Sequence, residues 1–227
     1  MTMNPITVLL AEDHQIVREG FRALLQHEPD IEVVGEAETG RQALQLTRKL
    51  RPAVVVMDIA MPLLNGLEAT CQIRKDFPET KVLILSAHSD DAYVDEVTRM
   101  GAAGFLLKQS SSQHLATAIR EARKGNTFFS PAISKRLNAD KENALNRKGD
   151  FKKKNNRLSS REMEVLQLIA EGKANKQVAA ELGVSFKTVD KHRQHLMSKL
   201  NIHDIAGLTR YAIAEGIIES DVRLTIS

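Results

Sequence analysis

The chain has 227 residues, 42% hydrophobic and 27% charged, the make-up of a folded protein of one large or two small domains rather than a fibre or a disordered chain. No apolar run approaches the roughly 18 residues of a membrane span. The opening MTMNPITVLLAED reaches two acids where a leader peptide needs an apolar core, and the single cysteine, Cys71, closes no internal disulfide. A cytoplasmic protein with no membrane partner is expected. Charge is uneven: residues 1–130 hold 14 Lys and Arg against 17 Asp and Glu, residues 131–157 hold nine against three, and residues 158–227 hold nine of each. An acidic front, a basic middle and a balanced rear predict two domains, 1–125 and 158–227, with a linker over 126–157.

In the front part, apolar β-branched runs alternate with helical patterns. Strands are predicted at Thr7–Ala11, Ile31–Glu36, Ala53–Met57, Lys81–Ser86 and Gly104–Leu107. Helices are predicted at His14–Gln26, Gly40–Leu50, Asn65–Lys75, Asp91–Met100 and Ser111–Lys124. The alternation predicts βαβ units and a five-stranded, doubly wound parallel sheet. Runs such as VVVM and VLIL suit strands covered on both faces. The linker holds room for one short helix in SPAISKRLNA, followed by a polar, Asn-rich tether that buries no core. From Leu158 every pattern is helical. Ser159 or Ser160 is the expected cap of a first helix, with Glu162 or Glu164 in its first turn. NKQVAAELG, VSFKTVDKHRQHLMSKLN and HDIAGLTRYAIAEG supply three more helices, the last capped by Asp204. The short pair joined at Gly183-Val184-Ser185 has the pattern of a helix-turn-helix.

In an open doubly wound sheet, ligands bind beyond the carboxyl ends of the strands. The first strand ends in Glu12-Asp13, the third in Asp58, the fourth in Ser86 and the fifth in Lys108. Three converging carboxylates repel unless one is protonated or a cation enters. An oxygen-only set suits Mg²⁺, which keeps waters and holds a phosphate. An Asp carboxylate is a feasible phosphoryl acceptor, with a hydroxyl and a Lys to stabilise the transferring oxygens. Each residue has a plainer role open to it: Asp13 as a helix cap, Ser86 in a turn, Lys108 as a surface charge. The functional reading rests on all of these strand ends together.

LLAEDH, VVVMDIAMPLLNGLEA, LILSAHSDD and GAAGFLLK resemble the receiver domain of two-component response regulators, over about residues 5–125. The resemblance implies a flavodoxin-like strand order 2-1-3-4-5 and Asp58 as the phosphoacceptor. It implies Mg²⁺ held by Asp13, Asp58 and the Ala60 carbonyl, with Glu12 acting through water. Ser86 and Lys108 would bind the phosphoryl group, and Phe105 matches a rotating aromatic coupled to Ser86. Gln109 stands where many receivers have Pro, so no cis bond is assumed there. Ala60 and His88 occupy positions that tune phosphate lifetime in the family.

On a helical wheel of Phe186–Leu200, Leu196, Leu200 and Arg193 fall within about 40° of Val189. Lys187, Lys191, Gln194 and Ser198 fall near the opposite side, as on a helix that enters a major groove. An ordinary solvated face is the plainer alternative. Residues 158–216, with REMEVL, NKQVAAELG, KTVDKH and KL in order, resemble the LuxR-type helix-turn-helix of the NarL/FixJ regulators, an all-α four-helix domain. The resemblance implies base contacts from Asp190, Lys191 and Gln194, and phosphate contacts from Thr188, Lys199, Asn175 and Lys176. The wheel adds Lys187. Ala174 stands where the family often has a capping Ser or Thr, so Asn175 is expected to cap instead. Ile205, Leu208 and Ala212 share a face of the last helix, which either packs inward or, as the family implies, pairs two subunits on DNA.

The sequence therefore predicts a transcription regulator, not an enzyme, switched by phosphorylation of Asp58. Its expected partners are a sensor histidine kinase, a two-fold site on double-stranded DNA and a second copy on activation, with RNA polymerase as a further candidate. Two other readings are a DNA-binding regulator indifferent to phosphorylation and a Mg²⁺-dependent aspartyl-phosphate phosphatase. The latter needs an acid two residues beyond the nucleophile, where this chain has Ala60.

Overall fold

The computed structural model describes residues 4–87, 94, 97–131, 133–134 and 158–218. The expected tether with Arg147, Lys148 and Lys152–Lys154, and His88, lie outside the described residues.

Strands β1 (Ile6–Ala11), β2 (Ile31–Ala37), β3 (Val54–Asp58), β4 (Lys81–Ser86), β5 (Gly104–Leu107) and β6 (Phe128–Phe129) form one sheet in the order β2-β1-β3-β4-β5-β6. Every pairing is parallel. The predicted order holds for the first five strands, but the count of five is corrected to six. The added strand has two residues and lies inside the segment expected as linker. Gly125, at φ 88°, ends the preceding helix and turns the chain back. Gly104 then lets the strands close, since a Cβ there would sit 2.1 Å from the Phe128 carbonyl. A two-residue strand set by contacts this distant leaves no periodicity to read.

Helices α1 (Gln15–Leu25) and α4 (Lys108–Lys124) cover one face of the sheet; α2 (Gly40–Leu50) and α3 (Gly66–Asp76) cover the other. Val94 and residues 97–99 are helical, within the predicted Asp91–Met100. Thr39 and Asn65 cap α2 and α3 by accepting from the N–H groups of Gln42 and Glu68. The sheet is buried from both sides, as the continuous Val and Ile runs require: Val54–Val56, Leu83–Leu85 and Val8–Leu10 are at most 1% exposed.

The C-terminal unit is all helical: α5 (Ser160–Ala170), α6 (Asn175–Leu182), α7 (Phe186–Leu200) and α8 (Ile205–Ala214). Ser159 and Glu162 form a reciprocal cap on α5. Asp204 caps α8 by accepting from Gly207 N–H at 2.7 Å. Asn175 does not cap α6, contrary to expectation. Ala174 holds the cap position with no side-chain acceptor, and Gln177 Oε1 accepts from its N–H at 2.9 Å. Gly183, left-handed at φ 63°, ends α6 and starts the turn into α7. Val165, Leu166, Leu168, Val178, Val189, Leu196, Leu208 and Ala212 build a separate core.

Candidate functional site

The carboxyl ends of β1, β3 and β5 converge as predicted. Glu12 and Asp58 are 1% and 2% exposed, while Asp13 is half-buried. Lys108 opens α4 instead of preceding it, yet its side chain still turns into the pocket. Its Nζ lies 2.9 Å from Glu12 Oε2 and 3.0 Å from Asp58 Oδ1. Ser86 is buried at the end of β4. Phe105 is fully buried on β5, opposite Ile84 and on the same face of the sheet as Ser86. Ala60 is half-buried in the turn after β3.

The electrostatics are those of crowded acids with one cation among them. Burial, then the nearby Glu12 carboxylate, push Asp58 up to about 7, against the pull of Lys108. Burial alone would lower Lys108, but Asp58 and Glu12 outweigh it and raise the ammonium above its usual range. Asp58 Oδ2 is buried and has no hydrogen-bond donor among the described residues. Among the described residues the ligand atoms that gather within 4.8 Å of one another are those of Glu12, Asp13 and His14, so the predicted set of Glu12, Asp13 and Asp58 is not drawn together as one cluster, although two carboxylates beside Asp58 still fit a hard divalent cation.

Sequence reasoning missed His14. Its Nδ1 lies 2.9 Å from Asp13 Oδ1 and 3.2 Å from Glu12 Oε1, so it stands at the mouth of the pocket. Burial alone would lower His14, but Asp13 and Glu12 outweigh it and raise it. Its place directly after Glu12-Asp13 was the available signal. Asp13 does not cap α1; His14 holds that position, without a side-chain cap.

On α7, Val189 and Leu196 are fully buried, while Lys187, Lys191, Gln194 and Ser198 are exposed, as the wheel predicted. Thr188 and Asp190 are half-buried beside them, Asp190 accepting from Gln194 Nε2 at 3.1 Å. Lys176 is exposed at the start of α6, and Asn175 accepts from Arg193 Nη1 at 3.2 Å. Lys199, expected to be offered to phosphate, lies 2.5 Å from Glu162 Oε2 within the α5 cap. Burial raises Glu162, but the donors Lys199 and Ser159 outweigh it and hold the carboxyl below its ordinary value. Phe186 was also missed: it is 57% exposed at the first turn of α7, one residue before Lys187. The shared dimer face on α8 is corrected. Leu208 and Ala212 are fully buried in the domain core, and only Ile205 of the three is exposed.

The response regulator receiver domain family matches residues 8–120, and the bacterial regulatory proteins of the luxR family match residues 156–212. The transcriptional regulatory protein DegU of Brevibacillus brevis is 35% identical over 88% of this chain and 90% of its own length. The oxygen regulatory protein NreC of Staphylococcus carnosus (strain TM300) is 37% identical over 93% and 99%. Among solved structures, the RcsB response regulator of Salmonella typhimurium matches with a TM-score of 0.62 at 29% identity, over 93% of this chain and 98% of that one. The chain therefore belongs to the NarL/FixJ family of two-component response regulators. It joins a receiver domain to a LuxR-type DNA-binding domain, and its relatives are transcription regulators. No helix among the described residues is long and apolar enough to cross a membrane.

Proposed function

We propose that Asp58 is the phosphoacceptor and that its phosphorylation by a sensor histidine kinase controls DNA binding by α6 and α7 in the cytoplasm. The observation that carries this is the buried carboxylate of Asp58, bonded on one oxygen by Lys108, which also holds Glu12, and bare on the other. Asp58 Oδ2, deprotonated, is the nucleophile: it attacks phosphorus, the P–N bond of the kinase phosphohistidine breaks, and its electron pair goes to the imidazole, which leaves neutral because its other nitrogen is already protonated. Asp13, Asp58 and the Ala60 carbonyl would hold Mg²⁺, with Glu12 acting through water. When bound, the ion neutralises the acids and polarises the phosphoryl oxygens. Lys108 moves its ammonium from Glu12 to the new phosphoryl oxygens, and Ser86 donates its hydroxyl. Phe105 follows Ser86 on the same face of the sheet.

For DNA, Asp190, Lys191 and Gln194 are the base-reading set, with Lys187 beside them. Lys176, Asn175 and Thr188 meet phosphates. Lys199 joins these only after leaving Glu162. Phe186 adds an apolar contact of the kind that reads a thymine methyl. A dimer on a two-fold site follows from two such heads, and a solved RcsB–DNA assembly is described as two RcsB dimers bound to two parallel DNAs. With Leu208 and Ala212 in the core, the exposed apolar residues of α8 are Ile205, Ala206, Ile213 and Ala214.

Incubation with acetyl phosphate and Mg²⁺ tests the acceptor. Intact mass should rise by one phosphoryl group in the wild type and not in Asp58→Asn. A labelled Asp58→Asn protein would refute the assignment. Multiple turnover on small phosphate esters would favour the phosphatase reading; Ala60 leaves that reading without a general acid.

A further inference from the structure

Arg18 is 6% exposed, although its neighbours on α1, Gln15, Glu19 and Arg22, stand in solvent. Its guanidinium turns inward, where three nitrogens meet three separate acceptors. Nη1 donates to the Glu12 carbonyl at 2.6 Å, Nε to Glu36 Oε2 at 3.2 Å and Nη2 to Glu38 Oε1 at 2.8 Å. Glu36 lies near the end of β2 and Glu38 just beyond it. Arg22 Nη1 holds the other oxygen of Glu36 at 2.6 Å. A buried cation is costly unless it is paired and hydrogen-bonded, and here it is both.

The Glu12 carbonyl belongs to the peptide that joins Glu12 to Asp13. Upstream, Glu12 N–H donates to the Ala37 carbonyl at 3.0 Å and extends the ladder between β1 and β2. Downstream, the His14 carbonyl accepts from Arg18 N–H at 3.0 Å as α1 begins. The turn is tied at both ends, and the Arg18 side chain fixes the peptide between them. A peptide is planar, so a fixed carbonyl fixes where the Asp13 side chain starts. Lysine could not do the same, because an ammonium donates from one point and not from a planar fork.

We propose that Arg18 is a positioning residue for the cation site: through the peptide joining Glu12 to Asp13 it aims their carboxylates, and so sets the affinity of the pocket for Mg²⁺. The inference rests on the reading of Asp58 as an acceptor served by Mg²⁺. Arg18 acts from behind the site. It holds the backbone of Glu12, while the Glu12 carboxylate is held by Lys108 at 2.9 Å and His14 at 3.2 Å. Groups that orient a metal's ligands in this way govern its affinity without touching it.

Two variants of the full chain test it. Arg18→Lys keeps the charge and loses the fork. Glu38→Gln loosens Nη2 at an exposed position, leaves the guanidinium in place, and carries the test should Arg18→Lys fail to fold. Mg²⁺ binding is titrated by calorimetry without a phosphodonor, and labelling by acetyl phosphate is followed across Mg²⁺ concentrations. Arg18→Lys should bind Mg²⁺ about 10-fold more weakly or worse. Its Mg²⁺ midpoint for labelling should rise by the same factor, with the wild-type rate regained at saturating Mg²⁺. Glu38→Gln should shift both the same way by a smaller factor. A residue that merely holds the fold would lower the melting temperature and leave the Mg²⁺ affinity of the folded protein unmoved. Unmoved Mg²⁺ affinity in either variant, or a lost saturating rate with an unmoved midpoint, overturns the inference. Failure of the acceptor reading is separate: there, the wild type would label equally with and without Mg²⁺, or Asp58→Asn would label as the wild type does.

Discussion

Asp58 is buried at the end of β3, bonded by Lys108. An unfolded Asp titrates near about 3.9, whereas burial and then Glu12 push the folded carboxyl up to about 7. Between these values the folded state keeps a proton that the unfolded chain has released, so this group lowers stability as pH rises through that window. Asp58→Asn should therefore melt higher than the wild type at pH 8, with little difference at pH 4. Each kcal/mol gained is worth about 2–4 °C in a chain of this size. Mg²⁺ should raise the wild-type melting temperature at pH 8 and leave Asp58→Asn unmoved. A variant that melts lower at pH 8 would contradict the buried, crowded carboxylate. The pocket was legible in the sequence because each functional group stands at the end of an apolar strand, and a parallel sheet brings those ends together. Gln167, bonded to the backbone of Asn65 and Met61, was not legible. Nothing in its helical period distinguishes a polar residue facing water from one facing the backbone of another domain.

At the level of elements, the caps show where local rules suffice and where they do not. Ser159, Ser185 and Asp204 each accept from the N–H three residues on, as their identity and place predict. Ala174 breaks the pattern, and Asn175 turns its oxygen to Arg193 instead of capping. An acceptor at that position is therefore missing and easily supplied. Ala174→Ser should stabilise α6 by about 1 kcal/mol, read as a rise in the unfolding midpoint at constant m-value. No change would mean that Gln177 already satisfies this end. The sixth strand escaped the sequence because Gly104 and Gly125 set it through backbone geometry, and the start of α4 at Lys108 because Leu107 before it offers no side-chain cap to read. On α8, Leu208 and Ala212 share a face with Ile205 on a wheel, but the domain core buries the first two and leaves Ile205 outside. A wheel gives direction, not what lies there.

Across the whole molecule, α6 meets the receiver through Glu181 while the lysines of α6 and α7 stay open to solvent. Lys176, Lys187 and Lys191 stay exposed while Arg41 joins Glu164 and Glu181. DNA binding should therefore depend steeply on salt. Lys176→Ala should weaken binding alike across duplexes and reduce the salt slope by about one. Gln194→Ala should relax preference at one base position and leave the slope alone. A Lys176→Ala protein with an unchanged slope would remove Lys176 from the phosphate contacts.

The central claim is that the state of Asp58 governs DNA binding by a domain more than 100 residues further along the chain. The most direct test is the affinity of the full chain for a duplex selected from a random pool, with and without Mg²⁺ and beryllofluoride, in the wild type and in Asp58→Asn. The account predicts tighter binding to a two-fold site when the wild type is loaded, and no response in Asp58→Asn. Equal affinity in the loaded and unloaded wild type would contradict it, leaving a DNA reader whose control lies elsewhere.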